Sequence, residues 1–115
     1  MRPLILAALL GATPVLAQNS GQTTDITGSY RVEGRNVDGS AYSGSLVLST
    51  QGATYLGDWR IAEQAYRGVG RLDGRILILQ WQDGADPVVY VVMPDGELHG
   101  TWADGRALER AAPIR

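Results

Sequence analysis

Few side chains in this sequence can do chemistry. It has one histidine, His99, and no cysteine or lysine. A nucleophile would therefore have to be a hydroxyl such as Ser43 or Ser45, with His99 as its base. That pairing also needs a third group to orient the imidazole. Ser43, Ser45 and His99 instead share a period-two pattern with Arg and Glu residues, the mark of a face turned to water. No catalytic residue is assigned, and the expectation is a protein that is not an enzyme. Asn36-x-Asp38-Gly39 and Asp83-x-x-Asp86 offer oxygen atoms, but a calcium ion needs six or more of them arranged around it. Both stretches read better as turn chemistry, so neither a metal nor a cofactor is expected.

The aromatic residues carry more. Five Tyr and three Trp occur with no Phe at all, and each brings one polar atom that needs a partner when buried. Gathered inside a small fold, they give either a packed interior or the lining of a site for a small apolar or planar ligand. The candidate lining residues are Tyr42, Tyr55, Trp59, Tyr66, Trp81, Tyr90 and Trp102.

The elements that must position these rings follow from periodicity. From Ile26 onward, short runs of alternating apolar and polar residues are broken about every 10 to 12 residues by Gly, Asp or Pro. That is the pattern of an all-β barrel or sandwich. It predicts strands near 26–34, 40–49, 53–61, 65–72, 75–82, 87–93, 97–103 and 106–110. Asp73-Gly74 and Asp104-Gly105 fit two-residue hairpin loops. Connections this short join antiparallel neighbours, so chain order predicts spatial order. The expected fold is an eight-stranded antiparallel up-and-down meander barrel, because closure removes both exposed edges; the alternative is an open or sandwiched β-meander. Every second residue places all eight Tyr and Trp on one face, interleaved with Gly44, Gly57, Gly68, Gly70 and Gly100, which we expect to make room for the rings. Tyr42, Tyr66 and Tyr90 are 24 residues apart, one hairpin length, and are expected at one level of the barrel.

Alternation fails in "RILILQW" and "PVVYVVM", where both faces are apolar. Ile76, Ile78, Val89, Val91 and Met93 would then form an outer apolar patch on two neighbouring strands, the kind of surface that pairs two copies of a chain or receives a protein partner.

The N-terminus gives an address. Met1-Arg2, the apolar run Pro3 to Leu16 and small residues before Gln18 match a secretory signal peptide over 1–17. The run is shorter than the roughly 20 residues that span a bilayer, and no membrane span is expected. A polar lead-in, 18–25, precedes a single domain over 26–115. The expected location is the periplasm or outside the cell, and the domain must be stable without disulfides. The net charge of −2 is scattered along the chain, which argues against nucleic acid as a partner.

Two blocks resemble a known group: Tyr30-x-Val32-x-Gly34-x-Asn36-x-Asp38-Gly39-Ser40-x-Tyr42-x-Gly44, and Pro87-Val-Val-Tyr90-x-Val92 followed by Asp95-Gly96-x-Leu98-x-Gly100-Thr101-Trp102. They are similar to small exported proteobacterial β-domains, mostly uncharacterised, some labelled fibronectin-binding. The resemblance implies an exported β domain with an adhesion-type role; it assigns no residue. The chain departs from that group in having no cysteine pair and in its C-terminal phrase. Taken together, these readings predict a non-catalytic exported binding or interaction module that uses the outer patch for self-association, as in a homodimer, or for an extracytoplasmic protein partner. The alternative is a carrier of a small apolar or planar ligand inside the barrel.

Overall fold

The structure, a computed structural model, describes Asp25 to Arg115; the expected signal peptide and most of the lead-in lie outside the described residues. Eight strands follow in order: β1 (Gly28–Arg35), β2 (Ala41–Gln51), β3 (Thr54–Ile61), β4 (Gln64–Asp73), β5 (Ile76–Gln80), β6 (Val88–Val92), β7 (Leu98–Trp102) and β8 (Ala107–Pro113). Each pairs antiparallel with the next, and β8 returns to β1 over Tyr30↔Pro113 to Arg35↔Leu108, closing the barrel. The ladder between β1 and β8 excludes the open and sandwiched alternatives.

The two halves of the interior differ. Towards the β2–β3 and β4–β5 turns it is filled by Val32, Leu46, Leu48, Leu77, Leu79 and Leu98, all essentially inaccessible to solvent. Burial of each such side chain contributes about 2 kcal/mol to folding. Ile26 plugs this end, and its carbonyl accepts a hydrogen bond from the Tyr30 hydroxyl at 2.7 Å. The other half is built from aromatic rings and stays open.

Three expectations change in detail. The Asp73-Gly74 hairpin is shifted by one residue: Asp73 pairs with Ile76, so the two loop residues are Gly74, at φ 60°, and Arg75. Asp104-Gly105 does not make a two-residue loop. Ala103 has already left the strand, and a four-residue connection, Ala103 to Arg106, runs between the paired Trp102 and Ala107. Of the five inward glycines, only Gly68 and Gly100 lie under rings, those of Trp59 and Tyr90. A Cβ on Gly57 would meet Leu79, Leu46 and Leu48, whereas one on Gly44 or Gly70 would run into the backbone of the adjacent strand. A ring also covers Gly34, where a Cβ would overlap the phenol of Tyr42.

Candidate functional site

The open half is a cavity of about 180 Å³, lined by aromatic and aliphatic side chains together with Asn36 and Glu109. It sits at the end of the barrel where β1, β3, β5 and β7 finish. Of the seven candidate residues, the fold brings five to this cavity: Tyr42, Trp59, Tyr66, Trp81 and Trp102. Four of them form an arc of edge-to-face contacts around it. Tyr66 meets Trp81 with centroids 5.8 Å apart, Trp81 meets Trp102 at 6.2 Å, and Trp102 meets Tyr42 at 6.3 Å. Such contacts stabilise ring pairs beyond the area they bury and fix their orientations.

Tyr90 and Tyr55 lie elsewhere. Tyr90 is completely buried beneath the cavity, and Tyr55 packs into the closed core. The tyrosine repeat thus marks the hairpins without placing its members at one level. β6 begins at Val88, which itself takes the cavity position and leaves Tyr90 deeper in the wall.

The floor of the cavity holds Glu109, a residue absent from the sequence-derived candidates. It is 7% exposed and is the one buried charged residue among those described. Its position follows from register. Glu109 pairs with Gly34 on β1 and with Gly100 on β7; Gly34 pairs in turn with Tyr42, and Gly100 with Tyr90. One lateral row therefore reads Tyr42, Gly34, Glu109, Gly100, Tyr90 across five strands. Each tyrosine lies over the glycine beside it, and the two hydroxyls reach the carboxylate from opposite sides. Tyr42 donates to Oε1 at 2.7 Å, and Tyr90 donates to Oε2. Trp59 Nε1 also donates to Oε2, at 3.1 Å. The indole of Trp102 extends the network by donating to the Tyr42 hydroxyl at 2.9 Å.

Burial raises the Glu109 carboxyl above its ordinary value, while the three donors pull it back part of the way. Burial and the adjacent carboxylate push the Tyr90 and Tyr42 hydroxyls upward, so both keep the proton they donate. Arg35, His99 and Arg110, on the strands around Glu109, belong to the outer wall. There Arg110 pairs with Glu97 at 2.6 Å, His99 with Glu97 at 2.8 Å, and Arg35 donates to the Gly39 carbonyl. Tyr42 and Glu109 also border an outer groove among these residues, because the wall at Gly34 and Gly100 has no side chains.

The remaining candidates have structural roles. Asp38 accepts from the Ser40 amide at 2.9 Å and the Ser40 hydroxyl at 2.6 Å, closing its own turn. The Asp86 carbonyl accepts from the Trp81 indole at 3.0 Å, which holds that ring at the rim just past the end of β5. Among the described residues no group of three or more acidic, His or Cys side chains is arranged to hold a metal. On the outside, Ile76, Ile78 and Val91 are exposed, and Val89 and Met93 are half-buried. The ladder sets Ile76 beside Val91 and Ile78 beside Val89.

No known protein-family model matches the sequence, and no curated protein is detectably similar to it.

Proposed function

We propose that this protein is an exported, non-catalytic binding module whose barrel mouth takes one small apolar or planar ligand. One observation carries this reading. Five aromatic side chains converge on an open cavity of about 180 Å³, and four of them hold one another by edge-to-face contacts around it. Cavities near 150 Å³ accept benzene, so the size suits a single ring with a short substituent. The leader-like pattern of Met1 to Ala17 supports export.

The reading is tested by NMR titration of the labelled domain with 2-phenylethanol. Residues of the mouth should shift and those around Tyr55 should not, and Val88→Trp, which fills the cavity, should abolish the response. Shifts spread over the outer wall, or a response that survives Val88→Trp, would overturn it.

The outer patch supports a second reading, self-association, because Ile76, Ile78 and Val91 remain exposed side by side in the closed barrel. Sedimentation at high micromolar concentration should then show dimers that Ile78→Arg dissociates. A wild-type protein that stays monomeric there removes this reading.

A further inference from the structure

The cavity is apolar except at its floor, and there it holds a carboxylate. Glu109 is more than nine-tenths buried, yet all three groups that touch it, Tyr42, Tyr90 and Trp59, are neutral donors. A buried carboxylate is normally paired with a cation, because removing its charge from water is costly. Every cation on the strands beside it belongs to the outer wall, and Arg110, the nearest in sequence, is engaged by Glu97 and Glu33. A carboxylate has about four acceptor positions. Tyr90 and Trp59 occupy Oε2, whereas Oε1 takes only Tyr42, itself a residue of the cavity wall. One acceptor position is left on Oε1. Tyr42, Trp59 and Trp102 line the cavity beside Glu109 and present hydrogen-bond donors to this network, with no cation among them.

From this we infer that the mouth selects a small aromatic amine, its ring among Tyr66, Trp81 and Trp102 and its ammonium group on Oε1 of Glu109. This rests on the reading of the mouth as a ligand pocket and adds to it the chemical class of the occupant. An ammonium ion supplies the missing counter-charge and three donors. Raised by burial, the carboxyl would be drawn back towards its ionised form by such a ligand.

Three probes of like shape test the inference: 2-phenylethylamine, 2-phenylethanol and 3-phenylpropionate, each titrated against tryptophan fluorescence and checked by calorimetry. The amine should bind at least about tenfold more tightly than the alcohol, as expected for a charged partner against a neutral one, and the propionate most weakly. Glu109→Gln should abolish the preference for the amine, bringing its affinity down to that of the alcohol. Trp81→Ala, at the rim and outside the carboxylate network, should weaken both. Equal affinity for amine and alcohol would overturn the cation assignment while the pocket stands. Amine binding that depends on Glu109 but ignores Trp81 would place the cation in the outer groove and overturn the inference. No binding of any of the three would remove the pocket and the inference together.

Discussion

At the scale of single residues, Glu109 and Glu97 oppose each other in how stability responds to pH. Burial raises the folded value of Glu109, so between its ordinary and its folded value the native state binds more protons than the unfolded chain. Its contribution is therefore full below the ordinary value of 4.5 and is lost as pH rises through the folded value. Glu97 behaves in the opposite way. Hydrogen bonds from Arg110 and His99 lower it to about 2, so its contribution is present above the ordinary value and is lost as pH falls towards 2. Denaturant melts at pH 5 to 8 should show wild type gaining on Glu109→Gln as the solution is acidified. Between pH 5 and 2, Glu97→Gln should lose less stability than wild type. At pH 7 the Glu109→Gln change itself should alter stability by less than about 1 kcal/mol. The amide oxygen can still accept from Tyr90 and Trp59, and the amide nitrogen can donate to Tyr42, whose own proton can turn to the Leu108 carbonyl 3.4 Å away.

At the scale of elements, register puts the site together. The hairpins align Gly34 and Gly100 on either side of Glu109, and each glycine leaves a gap that a tyrosine crosses. A Cβ on Gly100 would collide with the Val89 carbonyl oxygen and lie 2.6 Å from the Tyr90 ring. Gly100→Ala should therefore cost about 1 to 3 kcal/mol, the usual range for overpacking a core, and should also alter the emission of Trp59, whose indole donates to the Tyr90 hydroxyl at 3.1 Å. A merely local loss of packing would lower stability without that spectral change. The strands themselves were legible, because alternation of period two survives wherever one face is wet. Turn details were less so: Asp-Gly marks a reversal, but whether Ala103 leaves the ladder early depends on where β7 and β8 stop pairing. Ala103 holds a φ of 52°, a conformation that its residue type gives no reason to expect there.

At the scale of the whole molecule, closure by β8 joins architecture to site. The last strand covers the free edge of β1 and also carries Glu109. Removal of residues 107–115 should leave two unpaired edges, and the remaining chain should aggregate and lose its cooperative thermal transition in circular dichroism. A truncated chain that still melted cooperatively as a monomer would show that closure is dispensable.

The sequence by itself determined eight strands, their neighbour-to-neighbour order and the inward direction of every Tyr and Trp, since alternation and loop length are local properties. It did not determine which rings would border a cavity or that a carboxylate would lie beneath them. Ala107 and Ala111 are too small to announce an inner face, so Glu109, set between Leu108 and Arg110, carried no local sign of burial. The small-x-Glu-x-small pattern becomes readable only once β8 is paired on both sides. The row from Tyr42 to Tyr90 joins residues of five strands at large sequence separations, and its alignment is fixed by the stagger of the closed sheet. Stagger is a property of the whole ring of hydrogen bonds, so only the tertiary structure could bring two tyrosines, two glycines and one buried carboxylate into line.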